Sequence, residues 1–352
     1  MGHGRIFPTG KIPVWLVAPV APETTSAFMK MPTLWTFALL FGSCQAWLSS
    51  PPPWLQLGAR TRIIRWAAQS AEATDIVYSQ PALYDLAFGY RSYDDEVDFL
   101  LTEHERYAGY PASTVLELMA GPARHSLSAL DLDQVSRVVC VDNEPAMAEY
   151  AQQVLEEEIE DKEMRDKLEY QVADVRNVEL STKADTAWIL LGSFQHMVRF
   201  GDAFDCLKAA RKALNHDDDK SKQATLFLEL PHPRELFQVT GCTRNEWTVP
   251  LDLSDGTQDE LKILWGDTAN DVFDPITQIR QHSVVMKLQS SGTSSPSVDT
   301  TVPLRSFTAP ELHALAVLTG FEIAAWYGAL EEGVEIDSED LAFRMVCCLR
   351  TV

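Results

Sequence analysis

The sequence predicts a doubly wound α/β fold: a mostly parallel sheet with helices on both faces and an antiparallel β cap inserted after the fifth strand. Three observations predict it. From about residue 79, short apolar runs alternate with amphipathic stretches, the rhythm of βαβ units. The first run, Val115-Leu-Glu-Leu118, passes through a Gly-Pro turn into a helix, with Pro122 suited to a first helical turn. The rhythm then breaks over residues 231–304, where strand-like runs follow one another without a strong helix.

Taken in order, Val138-Val-Cys-Val-Asp142 reads as the second strand, followed by a helix over Pro145 to Leu168. Its run Glu156-Glu-Glu-Ile-Glu-Asp-Lys-Glu163 forms a solvated face. Tyr170 to Asp174 is the third strand and Thr186 to Leu191 the fourth. Ala203 to Leu214 is a helix ahead of a polar loop at 215–220, and Ala224 to Leu230 is the fifth strand. The insertion contains Glu246-Trp-Thr-Val249, Leu261-Lys-Ile-Leu-Trp265, Ile276 to Leu288 and a Ser-rich loop at 289–298. Thr308-Ala-Pro-Glu-Leu then starts a helix that Gly320 stops. Phe321 to Trp326 and Leu341 to Leu349 close the chain as strands. No internal repeat is visible, so a single domain over 68–352 with its cap at 231–304 accounts for the pattern better than two domains.

A composition 46% hydrophobic and 23% charged is that of a folded globular protein. The charge is uneven. Residues 1–67 hold six basic residues and one acid, Glu23. Taking them from the chain's 29 basic and 51 acidic residues leaves 23 against 50, about −27. Such a surface repels phosphate backbones and argues against a nucleic-acid partner. Residues 29–46 have a basic start, an apolar core and small residues before Ala46, the grammar of a signal peptide, with Met29 the expected start. Residues 47–67 are rich in Arg, Ser and Pro and read as transit-like. Together they resemble the two-part plastid-import leader of algae with complex plastids, in which Trp47 fits the aromatic residue after the cut. A plain secretory signal or a single mitochondrial presequence are the alternatives. No run approaches the roughly 20 apolar residues of a membrane span. Six cysteines are too sparse for a disulfide framework and lack metal spacing, so no metal site is expected. Cys347 and Cys348 should be buried on opposite sheet faces.

Open α/β sheets bind ligands at the carboxyl ends of their strands. This points to Glu117 to Arg124, Asp142-Asn143, Asp174-Val175 and Gly192 to His196. A dinucleotide site wants G-x-G-x-x-G, but Met119-Ala-Gly-Pro-Ala-Arg124 keeps one glycine of three, which counts against NAD or a nucleotide-sugar. A phosphate-free cofactor with a cationic amino-acid end has less need of those glycines and gains from a carboxylate such as Glu117. Asp142, 25 residues beyond Glu117, stands near the spacing of about 20 expected for an acid on a ribose. The alternatives are a strand-end surface role for Glu117, a helix N-cap for Asp142 and a turn role for Asp174. His196 could orient an acceptor or take up its proton, or be a hydrogen-bonded structural histidine. Glu229 and His232 flank the end of the fifth strand within reach of substrate, and Tyr84 and Trp265 could wall a cation with their rings. Arg124 is as well placed to pair with an acid as to touch a ligand.

Val115-Leu-Glu-Leu-Met-Ala-Gly-Pro-Ala-Arg-His-Ser-Leu127 resembles the first motif of the class I S-adenosylmethionine-dependent methyltransferases, whose sheet is Rossmann-like. Cys140-Val-Asp142 resembles the second motif and Ala173-Asp-Val175 the third. Leu190-Leu-Gly-Ser-Phe-Gln-His196 is similar to the fourth, Tyr84-Asp-Leu-Ala-Phe88 to the N-terminal segment that folds over the cofactor, and Phe307 to Gly328 to the C-terminal helix and strand. The resemblance covers roughly residues 80–352. It implies S-adenosyl-L-methionine as cofactor, held by Tyr84, Glu117, Met119, Ala120, Gly121, Arg124, Asp142, Asn143, Asp174, Val175 and Gly192. In that assignment Asp142 takes the ribose hydroxyls, Asp174 the adenine amino group, and the fourth motif faces the methyl. It also implies methyl transfer by direct in-line displacement, with His196 the catalytic candidate and His196, Glu229, His232 and Trp265 facing a small-molecule acceptor. The cap's acidity would suit an amine or cationic metabolite. Two positions depart from the motif. Ala123 is expected to be a mild change, because alanine fits a helical backbone. Met119 could crowd the methionine end of the cofactor, which makes a weakly active or inactive binding or assembly module the alternative function.

Overall fold

The computed structural model describes residues 77–215, 222–236, 244–252, 258–267, 270–289 and 297–352. The leader expected at 1–67, Cys242, most of the polar loop at 215–220 and most of the Ser-rich loop at 289–298 lie outside the described residues.

The chain enters through α1 (Pro81–Phe88) and α2 (Tyr93–Ala108) before the first strand. The strands β1 (Thr114–Leu118), β2 (Arg137–Asp142), β3 (Leu168–Val172), β4 (Thr186–Ile189) and β5 (Thr225–Pro231) follow. The intervening helices are α3 (Arg124–Ala129), α4 (Pro145–Glu158), the single turn α5 (Lys162–Arg165) and α6 (Phe200–Ala213). After the short α7 (Pro233–Leu236) comes the insertion, with β6 (Arg244–Asp252), β7 (Gln258–Asp267), β8 (Phe273–Asp274), β9 (Ile279–Gln289) and β10 (Ser297–Arg305). Helix α8 (Ala309–Thr319), β11 (Phe321–Tyr327) and β12 (Arg344–Thr351) complete the domain.

Seven strands form one sheet in the order β11-β12-β5-β4-β1-β2-β3. β1 to β5 pair in parallel, and β12 runs antiparallel to both β5 and β11. Successive side chains of a strand point to opposite faces, so each run feeds two cores. Val115, Val138, Cys140, Trp188, Phe227 and Cys348 face the layer of α1 to α4, while Leu116, Val139, Ile189, Leu228 and Cys347 face α6 and α8. The adjacent cysteines thus divide between the two faces as the sequence predicts. Near-continuous apolar strands are the signature of a sheet covered on both sides.

Four strands of the insertion make a second, antiparallel sheet in the order β10-β9-β7-β6, with β8 paired to β9. Leu261, Ile263, Val284, Met286 and Val298 on it are buried together with α1 and α2, so the cap extends the same apolar layer that contains those helices.

The third strand lies two residues earlier than expected and the last begins three residues later, and two further boundaries move for local reasons. Helix α4 ends at Glu158, because Ile159 turns extended to pack against the core and the Asp161 carboxylate caps a new turn by accepting the Glu163 amide at 2.8 Å. Strand β4 stops at Ile189, because Leu191 and Gly192 take the left-handed conformation. The final helix behaves as read: Thr308 caps its start and Gly320, at φ +85°, ends it.

Candidate active site

Strand order reverses at β1, whose neighbours are β2 and β4, so the fold opens a crevice at the carboxyl ends of β1 and β4. Tyr84, Glu117, Met119, Ala120, Gly121 and Arg124 line it, together with Leu191 and Ser193 from the turn after β4. The backbone around it is unusual. Met119 (φ +57°), Gly121 (+52°) and Ala123 (+58°) follow β1, and Leu191 (+54°) and Gly192 (+73°) follow β4, all left-handed. For a residue with a Cβ this conformation costs about 1–2 kcal/mol, and such strain gathers where a site needs a special backbone path. Ala123 therefore corrects the expectation of a helical backbone: it is the left-handed N-cap of α3, and only Arg124 onward is helical. Met119 lies half-buried at the crevice wall, packed against the core layer of Leu118 and Val141.

Three carboxylates stand at successive strand ends. Glu117 is buried; one oxygen accepts the Ser126 amide at 3.1 Å and the Ser126 hydroxyl, while the other lies 3.7 Å from His125 Nδ1. Burial pushes its pKa above the ordinary carboxylate value, against the pull of His125 and Ser126. Asp142 Oδ2 accepts the Gly121 amide at 2.9 Å and Oδ1 the Glu144 amide at 3.0 Å, which ties the two strand-end turns together. Burial raises its pKa as well. The N-cap of α4 is Glu144, not Asp142. Asp174 caps the 3-10 turn Val175–Asn177 and pairs with Arg176, whose hydrogen bond holds its carboxyl below the ordinary range. Asn143 is exposed and Val175 buried. Tyr170, on β3, donates to the Gly121 carbonyl at 2.6 Å and so braces the first turn.

Two buried ion pairs fasten α1 and the loop after it to this end of the sheet. Arg124 Nε donates to Asp85 Oδ1 at 2.8 Å and its Nη1 to Glu158 at 2.9 Å, while Tyr150 donates to Asp85 Oδ2 at 2.7 Å. Arg124 thus lines the crevice with its charge turned onto acids and not onto the expected cofactor. Glu229, expected to meet substrate, is instead buried in a pair. Arg91 grips it through Nη1 to Oε1 at 3.0 Å and Nη2 to Oε2 at 3.1 Å, and Arg344 Nε adds 3.1 Å. Its Oε2 also accepts the Leu191 amide at 2.8 Å, so this carboxylate holds the left-handed turn after β4. Burial would raise its pKa, but Arg91 and Arg344 outweigh burial and hold it at about 2. Arg91 continues to Glu96 at 2.9 Å, and Glu96 to His125 at 2.7 Å. No sequence signal marks Arg91 or Leu191, because their roles exist only where β5, β4 and the loop after α1 meet.

At the mouth, His196 Nε2 lies 2.8 Å from the Tyr78 hydroxyl, a contact missed in the sequence because 118 residues separate the two. Burial lowers the His196 pKa to about 4, with a further lowering from His282, so the ring is neutral at neutral pH. Tyr84 and Trp265 meet edge-on at 5.9 Å, and Phe88 lies 4.8 Å from Tyr84 and 4.9 Å from Trp265. Trp265 thereby joins the cap to α1. His232, also expected at the acceptor, is elsewhere: its Nε2 bonds the Ile336 carbonyl at 2.9 Å and it lines a separate hollow with Arg234 and Asp337. Among the described residues no group of three or more His, Cys, Asp or Glu side chains is placed to hold a metal ion, and no helix is long and apolar enough to cross a membrane.

No family profile and no curated protein matches the sequence. Solved structures do match the fold. An S-adenosylmethionine-dependent methyltransferase from Clostridium acetobutylicum aligns with TM-score 0.58 at 14% identity, over 76% of this chain and 95% of its own. An S-adenosylmethionine-bound amino pentose methyltransferase from Micromonospora echinaspora, involved in calicheamicin biosynthesis, aligns with TM-score 0.56 at 14% identity, over 77% and 95%. A sugar N-methyltransferase from Streptoalloteichus aligns with TM-score 0.55 at 14% identity, over 78% and 94%. The strand order, the crevice at its reversal and these neighbours agree: the chain has the fold of the class I S-adenosylmethionine-dependent methyltransferases.

Proposed function

We propose that the chain binds S-adenosylmethionine in the crevice at the ends of β1 and β4 and transfers its methyl group to a small-molecule acceptor by in-line displacement. The observation that carries this reading is the pairing of Asp142 with the Gly121 amide, which presents an oriented carboxylate beside a glycine turn one strand away from buried Glu117. A ribose needs such a carboxylate, and a cationic amino-acid end gains from an acid like Glu117. Asp174, at the end of β3, would take the adenine amino group, with Asn143, Val175, Ala120 and Gly192 shaping the same rim. Tyr84 would cover the sulfonium with its ring.

When bound, the cofactor supplies a methyl group already activated by the positive sulfur, which leaves as a neutral thioether when the acceptor's lone pair takes the methyl. The chain's own work is alignment and exclusion of water. Arg124–Asp85 and Arg91–Glu229 hold α1 across the crevice, and the Tyr84–Phe88–Trp265 cluster closes its mouth. His196, neutral and bonded to Tyr78, orients that phenol toward the acceptor. The small-molecule acceptor is supported by a cap packed onto this mouth, and the likeness in fold to an amino pentose methyltransferase and a sugar N-methyltransferase favours an amine.

Calorimetric titration tests the reading. S-adenosylmethionine should bind, Asp142→Ala should weaken it at least about tenfold through loss of a charged hydrogen bond, and NAD should not compete. Absence of heat at millimolar cofactor, or displacement by NAD, would overturn it.

A further inference from the structure

One polar group lining the crevice has no role in methyl transfer as proposed above. Most of the polar lining is already committed. Asp85 and Arg124 bind each other, Tyr93 donates to the Phe88 carbonyl at 3.2 Å, His125 is held by Glu96 and Glu117 accepts from Ser126. Two hydroxyls of the lining, those of Tyr84 and Ser193, make no hydrogen bond among the described residues. The ring of Tyr84 is assigned above to the sulfonium. Ser193, in the turn after β4, is half-buried, and its Oγ is not sealed away from solvent.

The backbone fixes where Ser193 stands. Its amide donates to the Leu190 carbonyl at 3.0 Å, and the two residues before it are tied to β5, the Leu191 amide to Glu229 Oε2 at 2.8 Å and the Gly192 amide to the Glu229 carbonyl at 3.1 Å. A Cβ on left-handed Gly192 would come within 3.1 Å of Gln195 Oε1 and 3.5 Å of Pro231 Cδ, so the turn is tightly packed. Strand order then sets what Ser193 faces. The cofactor as proposed runs along the ends of β3, β2 and β1, with adenine at Asp174, ribose at Asp142 and the ammonium at Glu117. The next strand in the sheet is β4, about 5 Å further on. Beyond it, Glu229 at the end of β5 is closed off by Arg91 and Arg344. The turn after β4 is thus the strand end past the cofactor that offers an unpaired hydroxyl.

We infer that Ser193 binds the acceptor, its Oγ hydrogen-bonded to a hydroxyl or uncharged amine of a small molecule whose apolar part lies against Leu191 and Phe88. The inference rests on the methyl-transfer reading and names its acceptor class. With the cofactor's ammonium on Glu117, this end of the crevice offers an incoming molecule no unpaired carboxylate, since Asp85 faces Arg124 and Glu229 faces Arg91 and Arg344. An ammonium entering there loses water and meets no counter-charge, whereas a neutral hydroxyl or amine loses less and regains a hydrogen bond. This narrows the cationic acceptor that the cap's acidity suggests. A free amine also keeps the lone pair that displacement needs.

The test uses full-length protein with 13C-labelled leucine methyls, saturated with S-adenosylhomocysteine, and three probes at pH 7: benzyl alcohol, ethylbenzene and benzylammonium. Leu191 lines the crevice, so its methyl resonances report occupancy. Benzyl alcohol should move them saturably, ethylbenzene about fivefold more weakly, and benzylammonium no more tightly than ethylbenzene. Ser193→Ala should bring benzyl alcohol down to the affinity of ethylbenzene, and Ser193→Thr, which keeps a hydroxyl, should restore most of the difference. Because Oγ has no partner within the protein, both variants should melt and bind S-adenosylhomocysteine as the wild type does. No response of Leu191 to benzyl alcohol, equal binding of benzyl alcohol and ethylbenzene, tighter binding of benzylammonium than of benzyl alcohol, or no effect of Ser193→Ala would overturn the inference. So would weaker binding of S-adenosylhomocysteine to Ser193→Ala, which assigns the hydroxyl to the cofactor. Failure of the wild type to bind S-adenosylhomocysteine alongside the expected benzyl alcohol response would leave the Ser193 subsite standing and remove the methyl-transfer reading instead.

Discussion

Replacing Glu229 by Gln tests whether one buried carboxylate holds the crevice together. The side chain is 1% exposed and its principal partner Arg91 6%, so neither charge has water to turn to. Oε1 accepts from Arg91 and Arg344, and Oε2 from Arg91 and the Leu191 amide. Every neighbour is a donor, so whichever way a glutamine amide is turned, its NH2 confronts one. The change also removes the counter-charge of Arg344 and leaves Arg91 with Glu96 alone. Breaking such a pair costs about 3–5 kcal/mol, a large part of the roughly 5–15 kcal/mol that holds a domain folded. At about 2–4 °C per kcal/mol for a domain of this size, the melting temperature should fall on the order of 10 °C. The pH dependence gives a second check. A carboxyl held below its ordinary 4.5 contributes stability that is present above that pH and lost as the folded form takes up its proton toward about 2. The gap between wild type and Glu229→Gln should therefore close as pH falls through that window. Thermal melts by circular dichroism at pH 7 and pH 3 measure both effects. A shift under about 2 °C at pH 7, or a gap that stays constant into acid, would refute the assignment of Glu229 as the anchor of α1 and the β4 turn.

Two further outcomes follow from groups outside that network. His104 is buried with its pKa lowered to about 4 by desolvation, against an ordinary 6.5, so the unfolded chain takes the proton first. Stability should be full above about pH 6.5 and fall by up to about 3 kcal/mol as pH drops toward 4, because each tenfold difference in proton affinity between the folded and unfolded chain is worth about 1.4 kcal/mol. Urea melts should show this slope reduced in His104→Gln. Gly121→Ala meets no clash, since its new Cβ would sit 3.9 Å from Met147 Sδ, but φ +52° makes it strained. It should cost about 1 kcal/mol and weaken cofactor binding through the Asp142 contact, whereas Gly201→Ala, in open space on α6, should stabilise by about 0.5–1 kcal/mol and leave binding unchanged.

Local chemistry made much of the molecule readable. Apolar runs bounded by Gly, Pro and Asp placed β1, β2 and β5 to within a residue or two, because a strand covered on both faces must be apolar throughout. The loss of that rhythm after β5 marked the cap. Misreadings came where a competing local bond decided the backbone, as when Asp161 restarted a helix after Glu158, or where a residue occupied a conformation its type disfavours, as at Ala123 and Leu191. Nothing in an alanine or a leucine announces φ near +55°; the surrounding fold imposes it.

Of the strand-end acids that opened the functional reading, Glu117 lines the crevice and Asp142 bonds its Gly121 turn, while the charges around them were arranged at long range. Glu229 and Arg124 look like ligand-facing charges in a string of residues, yet Arg91 lies 138 positions from Glu229 and Asp85 lies 39 from Arg124. Only packing could show that those charges are spent on one another. Ser193 falls in the stretch after β4 that the sequence marks, yet only the folded crevice shows its hydroxyl left unpaired. The sequence by itself determined the succession of sheet strands and the main helices between them from β1 onward, with the acids at the strand ends, because periodicity and turn chemistry are local. Which of those side chains line the crevice and which are tied to one another was settled by tertiary structure alone, because burial and pairing depend on residues that meet only when the sheet, the entry helices and the cap close together.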